Sequence, residues 1–178
     1  QRMFVEDHDE LFYLMMYNEA LPMPARPAHE ALDEGVVRGG YLLEPAAGDG
    51  PRVNLLGSGT ILFEVMQAAE TLREEGYSVA VYSITSYIEL ARDAERAEQA
   101  DADPAWLDTI FPETDVPIVA ATDYVRALPR MIASWINGPF MALGTDGFGI
   151  SERRSDLRAH FKVDAASIAD VARKLTAR

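Results

Sequence analysis

Residues 143–165 read LGTDGFGISERRSDLRAHFKVDA, a passage from strand to helix around which the other segments can be laid out. The apolar end of a strand, Phe140 to Leu143, breaks at Gly144, Gly147 and Gly149 and enters a helix near Ser151. Glycine's access to positive φ and its missing side chain suit such a turn. Asp146 is expected to accept hydrogen bonds from backbone N–H groups within the turn. Phe148 is expected to plug the core, and Ser151 to cap a helix with Leu157 and Phe161 on one face. Taken alone, these residues spell a connection and no chemistry, because none is a nucleophile next to a base.

Composition bounds what such a turn can belong to. At 178 residues, 48% hydrophobic and 25% charged, the chain is long enough for one domain with a sizeable core and an appended segment. It has no cysteine, which excludes disulfides, thiolate catalysis and cysteine-ligated metals. No apolar run approaches the roughly 20 residues needed to span a membrane, and no signal-peptide layout opens the chain. A cytoplasmic protein is the expectation. The net charge of −13 is uneven: residues 1–125 hold 7 basic and 24 acidic side chains, and residues 126–178 hold 9 and 5. A surface this acidic repels phosphate backbones, so nucleic acid is a poor partner, while a basic protein domain is compatible.

The chain begins abruptly. Leu11 to Tyr17 (LFYLMMY) is a continuous apolar run of strand length, suited to burial on both faces. The stretch after it carries Pro22, Pro24 and Pro27 without periodicity and reads as a linker. Residues 1–18 are therefore expected to be the last strand of a preceding domain, 19–38 a linker, and 39–178 one folded domain.

Within that domain, Tyr41 to Glu44 and Val53 to Leu56 are short β-type runs, and the Asp49-Gly50 dipeptide between them predicts an antiparallel hairpin. Gly57-Ser58-Gly59-Thr60 opens a helix that Gly76 closes. The run Ser78 to Ile84 is a central strand, and the spacing of Ser86 and Glu89 predicts a capped helix start. The acidic stretch Asp93 to Asp115 is expected to be an exposed helix end with an excursion around Trp106. Pro117 to Ala121 is a strand, and Val125, Leu128, Ile132, Trp135 and Ile136 mark a helix that must kink or begin at Pro129. Asp164 is expected to cap a last helix bearing Ile168, Val171, Ala172 and Leu175. Strand–helix alternation predicts a three-layer α/β fold: a five-stranded sheet, parallel but for one antiparallel strand.

Gly144-x-Asp146-x-Phe148-Gly149-x-Ser151, followed by Phe161 and Asp164-Ala165, resembles the signature of the C-terminal domain of transketolase-like thiamine enzymes. The spelling with Thr145, Gly147, Leu157-Arg158 and His160-Phe161 is most similar to the homodimeric bacterial pyruvate dehydrogenases. The likeness extends over Val53 to Leu62, Val81 to Ser86, Glu89 to Asp93 and Thr122-Asp123-Tyr124, and Tyr17-Asn18-Glu19 with Pro22-Met23-Pro24 is similar to the family's interdomain segment. Pro129 departs from it, standing where an ordinary helix former is expected.

The resemblance implies a parent enzyme of the bacterial cytoplasm. That parent decarboxylates pyruvate with thiamine diphosphate and Mg2+ and passes the acetyl group to a lipoyl group on the dihydrolipoyl acetyltransferase component. It implies that the cofactor lies between the N-terminal and middle domains of two subunits. This domain would then support the homodimer and supply no catalytic side chain, cofactor ligand or metal ligand. Its structural signature would be Gly144, Asp146, Gly147, Phe148, Gly149, Ser151 and His160.

Other motifs weigh little. Gly48-Asp49-Gly50 imitates the start of a thiamine diphosphate motif, but the only asparagines are Asn18, Asn54 and Asn137, and no two are adjacent. Gly57-Ser58-Gly59-Thr60 offers backbone N–H groups to an anion. It lacks a phosphate-loop lysine, so a structural turn is preferred and a regulatory anion site is the alternative. His8, His29 and His160 lie far apart, with no metal-ligand spacing. Of these, only His160, near a helix end, is given a structural or interface role. Glu95, Glu98, Asp101 and Asp103 lack the glycine of a cation loop and read as a solvated face. The second functional reading is a binding module: the anion site, or an acidic dock for the acetyltransferase's subunit-binding domain.

Overall fold

Alternating side chains on nearly continuous apolar strands create two buried faces, and each must be covered by helices. The computed structural model describes residues 5–6, 20–28, 31–100 and 104–177. The strand expected at Leu11 to Tyr17, together with His8 and His29, lies outside the described residues. Strands β1 (Gly40–Glu44), β2 (Arg52–Gly57), β3 (Ser78–Ile84), β4 (Ile118–Ala121) and β5 (Phe140–Leu143) form one sheet in the order β1-β3-β2-β4-β5. All neighbours are parallel except β1 with β3. The expected fold class is therefore the observed one.

The strands of the sheet centre divide their residues between two cores. Val53, Leu55, Val79, Val81, Val119 and Ala121 meet α2 (Ile61–Glu74) and α7 (Ala165–Thr176). Their alternates Leu56, Ala80, Tyr82, Ile118 and Ala120 meet α3 (Tyr87–Ala100), α4 (Trp106–Ile110) and Ile132. Side-chain alternation of period two thus fixes the three layers. The chain steps from β2 outward to β3, then crosses back to β4 on the far side of β2. This reversal leaves a crevice beyond the C-terminal ends of β2 and β4, where open α/β sheets bind ligands.

Several local expectations hold. Glu89 N–H donates to Ser86 Oγ at 3.1 Å at the start of α3, and Gly76 takes φ +89° after α2. The final helix buries Ile168, Ala172 and Leu175 as its periodicity predicts.

Others are corrected. The strand at Tyr41 is antiparallel, but it pairs with β3 and makes no hairpin with β2. All of β2 past Arg52 is buried, so it takes parallel neighbours on both sides, and half-buried β1 is left at the edge. The Asp49-Gly50 segment carries the chain past the start of β3. A Cβ on Gly50 would lie 1.7 Å from the Gly76 carbonyl oxygen, and Ser78 N–H donates to Pro51 O. Within the supposed linker, Leu32–Arg38 forms helix α1, which buries Leu32 and ends at Gly39 with φ +107°. The predicted long helix after β4 is instead α5 (Ala127–Arg130) and a 3-10 turn (Ala133–Trp135). Pro129 sits in the first turn of α5, where its missing N–H breaks no helical bond. Ile132 is buried as expected, whereas Val125 is exposed.

Trp106 is the largest correction to the acidic stretch, because it is 5% exposed. Its Nε1 donates to Gly40 O at 2.9 Å and its backbone N–H to Asp93 at 2.6 Å. The Arg38 guanidinium lies 4.8 Å from the ring centroid and also donates to Asp93. Burial alone would push the Asp93 carboxyl up, but the bonds from Trp106 and Arg38 outweigh it and hold the group below the ordinary value of 3.8.

Caps are also reassigned. Helix α6 spans Arg154–Phe161, so Ser151, three residues before it, is no cap. Asp164 occupies the N-cap position of α7 without a side-chain cap bond. Glu64 of α2 does that work, accepting from Ala165 N–H at 2.9 Å and from Arg158 at 2.8 Å. Both members of the Glu64–Arg158 pair are mostly covered, and charge-assisted bonds of this kind contribute about 1.5–3 kcal/mol each. Glu64→Ala is expected to lower the thermal midpoint by about 6–24 °C. A shift under about 1 °C in a calorimetric scan would mean that apolar packing alone holds α2, α6 and α7 together.

Candidate functional site

Three loops leave the C-terminal ends of the parallel strands β2, β4 and β5, and short polar bonds tie them together. Gly57 ends β2 close to Leu62, and a Cβ there would approach the Leu62 Cα to 2.7 Å, so α2 starts hard against the strand. Ser58 Oγ donates to Thr122 Oγ1 at 2.8 Å, and Thr122 Oγ1 accepts from Tyr124 N–H at 3.2 Å. Thr60 Oγ1 reaches Asp123 Oδ2 at 3.4 Å, and Thr145 Oγ1 donates to Asp123 O at 2.6 Å. Thr145 N–H donates to Tyr124 O. The loops after β2 and β5 are thus both pinned to the loop after β4.

The signature residues divide by role. Gly144 has no room for a side chain, since a Cβ would lie 2.5 Å from Tyr124 O. Asp146 accepts from Arg126 N–H at 2.8 Å and Arg126 Nε at 2.7 Å. It therefore bridges to the β4 loop and does not close its own turn. The backbone bond, then the guanidinium bond, hold its carboxyl below the ordinary 3.8. Gly147 requires its glycine for φ +94°, whereas Gly149 has neither a positive φ nor a close neighbour. Phe148 is 96% exposed, so the expected core plug is a prong into solvent. Two small flanking residues and the lack of any helix before Arg154 let the turn project outward. Ser151 and His160 are exposed, His160 lying edge-on to Phe161 with ring centroids 4.9 Å apart.

Between these loops and α6 opens a groove of about 520 Å3. Ile61, Leu157 and Phe161 form its apolar wall, Thr60, Asp123 and Thr145 its polar end, and Gly147 to Ile150 its rim. Asp123 Oδ1 is buried there without a hydrogen-bond partner. The Asp123 carboxylate faces Thr60 at the start of α2, the position that an anion would take at this helix N-terminus. The predicted anion site at Gly57, Ser58, Gly59 and Thr60 therefore already has a carboxylate beside it.

Nucleophilic chemistry has no support in this arrangement, since Ser58 donates to a hydroxyl and not to a base. Neither do the residues suit a magnesium-held diphosphate. Among the described residues no three of His, Cys, Asp or Glu group to hold a metal. Asp49 lies before β2, at the opposite end of the sheet from the groove, and Asn54 is buried within β2. In the sequence Asp123 stands out only within the Thr122-Asp123-Tyr124 likeness. Sequence reading misses Arg126 and Glu64 altogether, because their partners are 20 and 94 residues away and no local spacing signals such pairs.

A mixed sheet of this order with its loops gathered at one end defines the C-terminal domain fold of transketolases. Transketolase from Leishmania mexicana superposes with a TM-score of 0.58 at 24% identity, over 82% of this chain and 19% of that one. Residues 39–164 match the transketolase-like TK C-terminal domain family, and the chain belongs to that family. It is similar to the pyruvate dehydrogenase E1 component of Corynebacterium glutamicum, with 38% identity over 90% of this chain and 18% of the relative. The E1 component of Escherichia coli K12 is likewise 38% identical, over 94% of this chain and 20% of its own length. The chain thus spans about a fifth of the length of the curated relatives it matches, in their C-terminal region. No helix among the described residues is long and apolar enough to cross a membrane.

Proposed function

We propose that the chain is the C-terminal, dimer-supporting module of a pyruvate dehydrogenase first component. The whole enzyme would use thiamine diphosphate and Mg2+ to decarboxylate pyruvate oxidatively and would acetylate a lipoyl group. The observation that carries this reading is 38% identity to two such components, spread over at least 90% of the chain. The module's part is shape, because the polar groups at its loop ends bond to one another and no nucleophile–base pair stands among them. Its partners on this reading are the rest of the polypeptide and a second subunit.

The binding-module reading draws less support. Within the stretch offered as an acidic dock, Asp93 is committed to Arg38 and Trp106, Asp108 to Ala105 N–H, and Glu113 to Arg52. Expression of the full-length polypeptide tests both halves of the proposal. It is expected to acetylate a lipoyl domain from pyruvate, and its truncation before residue 39 is expected to sediment as monomer. No acetylation would sink the enzymatic reading, and an undiminished dimer would sink the supporting role.

A further inference from the structure

A second cavity, of about 430 Å3, opens beside the start of β2, away from the loops already described. Leu42 of β1, Ala80 and Tyr82 of β3, and Trp106 and Ile110 of α4 line its apolar body. Arg52 and Glu113 stand at its mouth, half exposed and paired at 2.6 Å. The Tyr82 ring is held edge-on to Phe111 with centroids 4.8 Å apart, and the Trp106 indole is fixed by its bond to Gly40 O, so the chain itself sets these walls. The Tyr82 hydroxyl lies within electrostatic reach of the pair at the mouth. Burial and then the Glu113 carboxylate push its pKa up to about 12, so it is a neutral donor at pH 7. Among the described residues no hydrogen bond ends on it, yet it is not sealed in as the Tyr87 hydroxyl is.

An apolar cavity of this size with a few converging polar groups is the ordinary form of a small-molecule site. Its chemistry narrows the ligand. An anion would meet a guanidinium already bonded to Glu113, in a chain of net charge −13. A cation would meet Arg52, and the indole ring that could hold it already carries Arg38 at 4.8 Å. A plain hydrocarbon would cover the Tyr82 hydroxyl and Glu113 without bonding to either. We propose that the cavity binds an uncharged planar ring bearing a primary carboxamide. The ring packs against Leu42, Trp106 and Ile110, the amide oxygen accepts from Tyr82 Oη, and the amide N–H donates to Glu113. The proposal stands apart from the pyruvate dehydrogenase reading, since no residue of the loops at 57–60, 122–126 or 144–151 takes part.

Benzamide, benzoate and benzamidinium share one shape and differ in charge, so together they test the proposal on the 178-residue chain. Benzoate has no N–H for Glu113, and benzamidinium has no acceptor for Tyr82. The two indole N–H signals, from Trp106 and Trp135, are followed by NMR titration. Benzamide is expected to shift the Trp106 signal saturably with a Kd of about 1–10 mM, the range for so small a ligand. Both ions are expected to bind about ten-fold more weakly or worse. Tyr82→Phe keeps the ring and removes the donor, and is expected to weaken benzamide about five-fold. Ala46→Phe, placed in the lining of the cavity, is expected to abolish the shift. No saturable shift at Trp106 would overturn the proposal, as would an ion binding as tightly as benzamide, or a benzamide affinity unchanged by Tyr82→Phe. The comparison of the three probes needs only the unaltered chain, so it decides whatever the variants do to folding.

Discussion

Trp106→Ala is expected to destabilise the protein by about 3–5 kcal/mol, the range for truncating a large buried aromatic, and to lower the thermal midpoint by about 6–20 °C. Two elements lose a shared partner at once. The indole packs beneath β1 with its Nε1 satisfying Gly40 O, and its face carries Arg38 of α1. The backbone N–H bond to Asp93 of α3 survives the substitution. Trp106→Phe separates the contributions, since it keeps most of the apolar volume and removes the bond to Gly40 O. It is expected to cost about 1–3 kcal/mol, the cost of a buried acceptor without a donor. Chemical unfolding of both variants measures the difference. A loss under 1 kcal/mol for Trp106→Ala would return this segment to the solvated excursion that its composition suggests.

That composition misleads for a physical reason. Around Trp106 the sequence is acidic and aperiodic, because one short helix of five residues leaves no repeat to detect and its partners come from distant parts of the chain. The central layers were legible for the opposite reason: β2, β3 and β4 are continuous apolar runs, and α2 and α7 carry their burial pattern in the spacing of Ile, Val, Ala and Leu. The pairing of β1 was not legible, since Asp49-Gly50 is a good hairpin dipeptide and only the burial of β2 on both sides decides against it. Phe148 shows the same limit at the site. A large apolar residue between two glycines reads as core, whereas the positive φ of Gly147 and the open space around Gly149 let the turn carry it outward. The loops at 57–60 and 144–151 were each picked out, but their meeting through Thr122, Asp123 and Arg126 is a matter of sheet order.

The 178-residue chain is expected neither to bind thiamine diphosphate saturably nor to decarboxylate pyruvate. A diphosphate needs a cation or a cluster of donors. The helix N-terminus best placed to offer one, at Thr60, faces the Asp123 carboxylate instead. The Gly48-Asp49-Gly50 imitation sits in the segment that passes the start of β3, with Gly50 pressed on the Gly76 carbonyl and no asparagine pair to complete an octahedral Mg2+ shell. Net charge of −13 adds a general repulsion. Isothermal titration with thiamine diphosphate and Mg2+ decides the first half, and a saturable isotherm would overturn it. Carbon dioxide release from labelled pyruvate decides the second, and turnover by the chain alone would place catalytic groups where none has been assigned.

The placement of β1 at the sheet edge, paired only across to β3, also sets an order of events in time. β1 leaves the ribosome before β2 and β3, yet it has nothing to pair with until β3 has been made, and its Trp106 cover comes later still. Contacts that close long loops form slowly, and partnered residues lie 26 apart in β2–β3 but 37 to 44 apart in β1–β3. β1 is therefore expected to gain protection after the β2–β3 pair. Pulse-labelled exchange during refolding would see the amides shared by β2 and β3 protected before those of Gly40–Glu44. Until that edge is sealed the nascent module exposes one flank of β3, an open hydrogen-bonding template of the kind that recruits another chain. Its folding yield then depends on how soon α3 and α4 arrive, more than on the strength of the central strands.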